Sequence, residues 1–278
     1  MSLIERINHY FLLILDTLKL AGLWRAWLIL LGYFLVNWLL LYAHLDFMSP
    51  LFYGAVKLWT STLNPGLAPV FTHYPEHFAL MDYYFGWSKI IVGLLLEGLV
   101  LGLVARSFTG RVFRRGRGGE TRSIWSLWFH LVIVWALLNG LWFLLGSFVP
   151  SLAAPFLTGT KRIMAFSFVA LPGLFMVVFA VLYSALPAVV VYGDSAVKAI
   201  LRSIRLFWSR PLTSFFLAAA VLVVPAILAA LVSRPEEIIN RFRPELIYYL
   251  LLAGLIAEVP AYFLWMGTAV HFLRDTED

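Results

Sequence analysis

Two carboxylates in this sequence stand where a carboxylate is costly. Glu97 and Glu258 each fall near the middle of an apolar run long enough to cross a bilayer. An ionisable side chain at that depth costs about 2.5–3.5 kcal/mol on insertion scales. By sequence position no Lys or Arg sits at the same depth, which leaves Asn37, Asn139, the other carboxylate, or carbonyls freed at kinks as partners. Burial without a cation favours the neutral acid, so both side chains are expected to be largely protonated. Such groups serve either as hydrogen-bonded contacts between helices, worth roughly 0.6 kcal/mol each, or as a polar centre for a proton or headgroup in a small-solute or lipid transporter.

A second constellation is cationic. Between Gly193 and Pro211 lie Lys198, Arg202, Arg205 and Arg210. Read as a helix over 194–209, the stretch puts Lys198, Arg202 and Arg205 on one side and Ala196, Ile200, Ile204 and Phe207 on another. Asp194 is the expected N-cap, and Pro211 ends this helix or opens the next. A basic face opposite an apolar face, beside a spanning run, describes a helix lying in the membrane surface. Arg114, Arg115 and Arg117 belong to a second cationic segment at 106–122, with six arginines against Glu120. Such cations fix orientation, and they attract anionic lipid at roughly 1 kcal/mol per residue near the surface.

A third pattern, His73-Tyr-Pro-Glu76-His77, matches an inverted zinc-protease string that sets two imidazoles beside a carboxylate. It contains Pro75 and has no further acidic ligand in view, so an ordinary interfacial loop is the expectation. No cofactor is called for.

The elements that must carry these residues follow from composition. Of 278 residues, 62% are hydrophobic and 13% charged, where a soluble domain carries roughly 25% charge. Polar surface is too scarce to coat a water-soluble fold, so the class is an all-α polytopic membrane protein. There is no cysteine, which excludes thiol chemistry. The net charge of +6 lies beside apolar runs, as the positive-inside bias places it, and is not a nucleic-acid signal.

In order, the chain reads as a single integral membrane domain over 1–278: an amphipathic interfacial helix at 2–20, then six spans at about 24–45, 87–105, 124–148, 163–192, 211–232 and 245–272. With the surface helix at 194–209, two or three interfacial helices are expected. The aromatic-rich connection at 46–85 is expected to fold back onto the membrane, with a short surface helix near 51–63. Gly98 and Gly102, four apart, allow a close helix approach. Pro172-Gly173, Pro187, Pro225 and Pro260 predict kinks, and in lipid the carbonyls freed there must find partners. Cations weight the N-terminus and the 106–122 and 193–210 connections. This places both termini in the cytoplasm of a bacterial inner membrane. An amphipathic helix feeding a span occurs twice, at 2–45 and 193–232, as a degenerate repeat would have it.

Gly193, Ala196, Ala199-Ile200, Ser203 and Leu206, after a proline-broken span, resemble the short helix of a loose group of bacterial six-span membrane domains. That group includes the membrane domain preceding the catalytic part of some glycerophosphodiester phosphodiesterases. Here the acidic residue before the glycine is replaced by Tyr192, and the sequence holds no phosphodiesterase segment, so no catalytic residue is carried over. The resemblance implies a lipid-contacting membrane domain without chemistry of its own. The expected function is therefore non-enzymatic, engaging membrane lipids or another envelope protein, with transport as the alternative.

Overall fold

A computed structural model describes residues 3–45, 76–113, 123–232 and 235–276. These form helices α1 (Leu3–Lys19), α2 (Trp24–Leu45), α3 (Glu76–Val112), α4 (Ile124–Ala153), α5 (Thr160–Ala165), α6 (Leu171–Leu182), α7 (Ala185–Tyr192), α8 (Ala196–Ser209), α9 (Pro211–Val232), α10 (Pro235–Arg241) and α11 (Leu246–Arg274). There is no strand among the described residues. Six stretches are long and apolar enough to cross a membrane: Trp24–Leu45, Tyr84–Val112, Ile124–Phe156, Leu171–Tyr192, Pro211–Val232 and Leu246–Arg274. Large apolar side chains such as Leu28, Leu35, Ile91, Phe129 and Val224 stand exposed on them. In water that would be costly. In lipid the exterior is as apolar as the side chain, and backbone groups are satisfied within each helix.

The contacts gather into two compact units. The first comprises Met1–Ile29, Leu94–Leu222 and Tyr262–Asp278, and the second Leu30–Gly93 and Val223–Ala261. In the first unit α8 packs on α6, α7 and α4. Its core is aromatic: Phe179 and Trp265 have ring centres 4.7 Å apart, and Trp27 stacks on Phe263 at 4.5 Å. The expected glycine contact is present. A Cβ on Gly98 would lie 3.0 Å from the Leu131 carbonyl oxygen, and one on Gly102 2.6 Å from Leu131 Cδ1. Only hydrogen at these positions lets α3 approach α4 this closely.

The second unit buries Leu41, Phe78, Met81, Phe85, Val232, Ile238, Ile247, Tyr248 and Leu255 together. This revises the sequence reading. The connection at 46–85 is expected to run up to the second span, yet α3, which carries that span, starts at Glu76. Phe78, Met81 and Phe85 recur at helical spacing and fill a core, where the aromatic character of Phe78 and Phe85 suggests a headgroup-level loop. The expected surface helix near 51–63 lies outside the described residues.

The stretch expected as the fourth span, 163–192, is interrupted twice, as its prolines predict. Before Pro172 the helix widens into a π-turn over Phe166–Ala170, and Leu171 N–H bonds the Phe166 carbonyl five residues back. The extra residue relieves the clash of the Pro172 ring with the preceding turn. Four residues before Pro187 the helix stops at Tyr183-Ser184 and restarts at Ala185. Pro225 and Pro260 lie inside continuous helices. α4 also runs through Pro150, which the sequence reading had placed in a connection.

Candidate functional site

The surface helix α8 carries the richest constellation, and its position depends on the break in the fourth span. Pro187 has no N–H for the Tyr183 carbonyl, and its ring excludes that carbonyl from the helix. Trp265 of α11 supplies the missing donor, its Nε1 at 2.8 Å from Tyr183 O. Ser203 of α8 does the same on the other side of the break. Its Oγ donates to Val181 O at 2.7 Å and accepts from Ser184 N–H at 3.2 Å. Tyr183 Oη also bonds Thr268 Oγ1. The broken span is thus joined to α8 and α11 by hydrogen bonds between buried groups.

Ala196, Ala199, Ser203 and Leu206 form the buried stripe of α8. Small residues there bring its backbone against α6 and α7. Val197, Leu201 and Trp208 form a second apolar stripe, which is exposed, with Trp208 at 75%. Lys198, Arg202 and Arg205 follow on the next arc and are exposed as well. The two-faced helix expected from the sequence is therefore three-faced: one apolar arc for the protein, one turned outward, and a cationic row beside it. The helix begins at Ala196, with Ser195 in the N-cap position and making no side-chain cap bond. Asp194, the expected cap, instead accepts from Arg202 Nε at 2.9 Å. An ionised guanidinium is a stronger donor than a backbone amide, so the carboxylate goes to it.

The cationic row borders a pocket of about 610 Å³ between α8 and the end of α11. Lys198, Arg202, Arg205 and Arg210 line it, with Asp194, Tyr192 and Leu201. Arg202 is held twice: by Asp194, and over the Tyr192 ring with Cζ 3.9 Å from the ring centre. Arg210 donates to the Asp275 carbonyl at 3.4 Å. Lys198 and Arg205 have no ion-pair partner among the described residues. Three exposed or half-exposed arginine and lysine side chains on one helix face, one of them pre-oriented, are suited to a phosphate or carboxylate.

The other surface helix, α1, has the same plan. Tyr10, Leu13 and Thr17 are buried, while Phe11, Leu12, Leu15 and Leu18 are exposed. A Cβ on Gly267 would lie 2.3 Å from Thr17 Cγ2, so α1 sits directly on the α11 backbone. At its end, the Lys19 ammonium bonds Asp16 at 2.8 Å and holds that carboxyl below the usual carboxylate range.

The residues expected at mid-membrane depth are each engaged locally. Within the first unit Tyr262 donates to Glu97 Oε1, and Glu97 is buried. Within the second, Lys89 pairs with Glu258. Lys89 is the cation that sequence position did not supply, and the ground for expecting a neutral Glu258 goes with it. A lysine carries its charge at the end of a four-carbon stem, so the position of its Cα in the sequence does not fix where the ammonium pairs. Asn37 and Asn139 donate to carbonyls one turn back on their own helices, Tyr33 O at 3.0 Å and Trp135 O at 2.9 Å. Beside Lys89, Ser88 Oγ lies 3.2 Å from His44 Nε2, while His44 Nδ1 faces Leu40 O at 2.7 Å. The carbonyl accepts, so Nδ1 carries the proton and Nε2 takes the serine hydroxyl.

Of the other sequence candidates, Arg114, Arg115, Arg117 and His73 lie outside the described residues. Glu76 opens α3, and His77 is buried one residue further on. Among the described residues no three His, Asp or Glu gather as a metal site. The residues that sequence reasoning missed are Trp265, Tyr192 and Lys89, and Ser203 entered it only through a resemblance, without its hydrogen-bonding role. A serine in the small-residue stripe of an amphipathic helix was the one available signal.

These helices define an all-α polytopic membrane protein. No protein-family model, curated protein or solved structure matches the chain.

Proposed function

We propose that this is a non-enzymatic membrane protein that engages anionic lipid through the α8 pocket, at the cytoplasmic face of a bacterial inner membrane with both termini on that side. One observation carries the reading: a cationic row lines a pocket and is bordered by an outward apolar stripe. That order around a helix matches the order of layers at a membrane surface, with headgroups next to acyl chains. The sidedness draws support from the first unit, where α1, α8 and the end of α11 adjoin. Thr17 of α1 lies against Gly267 of α11, and Leu273 near the end of α11 lines the pocket with Lys198, Arg202 and Arg205 of α8. An envelope protein with an acidic face would use the same cations.

The test is lipid retention by the purified protein, read by native mass spectrometry. Phosphatidylglycerol should be retained over phosphatidylcholine, and Lys198→Glu with Arg205→Glu should lower that retention more than tenfold, at roughly 1 kcal/mol per cation. Retention that ignores headgroup charge, or survives the double reversal, would remove the proposal. Transport is the second reading, favoured by Glu258 Oε2, which is buried and takes no hydrogen bond among the described residues. Solute flux into proteoliposomes that is abolished by Glu258→Gln would support it.

A further inference from the structure

We infer that the α8 pocket is a site for a lipid phosphomonoester, a dianionic phosphate on a membrane-anchored chain. The inference rests on the anionic-lipid reading and narrows it. Four cations and one carboxylate line the pocket, a surplus of three positive charges. A phosphodiester headgroup such as phosphatidylglycerol brings one negative charge, whereas a phosphomonoester brings about 1.5–2 at neutral pH and three oxygens able to accept hydrogen bonds.

The donors are arranged for such a group. Asp194 takes Arg202 Nε, and Tyr192 covers the guanidinium face. That leaves the two terminal amino groups of Arg202, the pair that meets two phosphate oxygens in parallel. Lys198 and Arg205 stand four residues before and three after it, in a row about 10 Å long at 1.5 Å per residue. Neither is spent on a protein carboxylate among the described residues. Leu201 lines the pocket and also belongs to the outward apolar stripe with Val197 and Trp208. The phosphate therefore has an apolar path for its chain leading directly away from the cations, which a free phosphate ester would leave unused.

Delipidated protein in detergent is titrated with dioctanoyl phosphatidate, dioctanoyl phosphatidylglycerol, a short-chain cardiolipin and glycerol phosphate, with binding followed by native mass spectrometry. Phosphatidate should bind roughly fivefold tighter than phosphatidylglycerol. Arg205→Gln, at a side chain without a protein partner, should abolish that preference. Glycerol phosphate should bind at least about tenfold more weakly than phosphatidate, since it lacks the chain. Phosphatidylglycerol or cardiolipin binding as tightly as phosphatidate would overturn the monoester assignment and leave the anionic-lipid reading standing. Equal binding of glycerol phosphate and phosphatidate would overturn the membrane-anchored part. Binding of no anionic probe, in wild type and variant alike, would overturn both.

Discussion

Replacing Trp265 with Phe keeps a ring in the core but deletes the one donor that Tyr183 O has in place of a helical amide. Trp265 is 2% exposed, so no solvent reaches the orphaned carbonyl. A buried acceptor left unsatisfied costs about 1–3 kcal/mol. Lost ring area adds to this, so Trp265→Phe alone does not isolate the hydrogen bond. Pro187→Ala does, because it restores an N–H four residues after Tyr183, where an uninterrupted helix would bond that carbonyl. In the Pro187→Ala background, Trp265→Phe should therefore cost less, by about 1 kcal/mol or more. The four proteins of this cycle are compared by denaturation in mixed micelles, followed by far-ultraviolet circular dichroism, since tryptophan fluorescence changes with the substitution itself. Simple additivity of the two costs would show that the indole is not the surrogate for the missing amide, and the account of the break would fail.

Two further outcomes follow from close contacts. Gly267→Ala should destabilise by about 1–3 kcal/mol, because both Thr17 and Phe108 in its way are fully buried and cannot yield. Thr17→Ser removes the nearer methyl and should recover part of that loss in the double variant, as read by thermal unfolding in detergent. Lys89→Met should cost about 2 kcal/mol by stranding the half-buried Glu258 carboxylate, less than a fully buried pair would lose. Adding Glu258→Gln should restore most of it. A double variant as unstable as Lys89→Met alone would mean that the pair contributes packing rather than charge balance.

How far the sequence reached can be followed residue by residue. Composition alone gave the helical class, and Pro172 and Pro187 located both interruptions, because a missing amide is a local fact. Trp265 was not legible as the partner of Tyr183, since a contact 82 residues away leaves no local periodicity. The same holds for Tyr262 on Glu97 and for Lys89 on Glu258. Phe78, Met81 and Phe85 were legible in principle. Their spacing is helical, but the aromatic character of Phe78 and Phe85 points to the headgroup level before periodicity is weighed. On α8 the cations were found, but the apolar residues were assigned to one face. Which apolar arc meets the protein depends on Ala199 and Ser203, whose small size matters only once a neighbouring backbone is in place.

Ser203 also sets the azimuth of the basic row. Rolling α8 by one residue, about 100°, would withdraw the hydroxyl from both Val181 O and Ser184 N and present Arg202 or Ile204 in its place. Neither side chain can donate to the one and accept from the other. The compass bearing of the cations is thus dictated from inside the bundle, so a ligand that docks there must be met by bending side chains, with the cylinder beneath them held still.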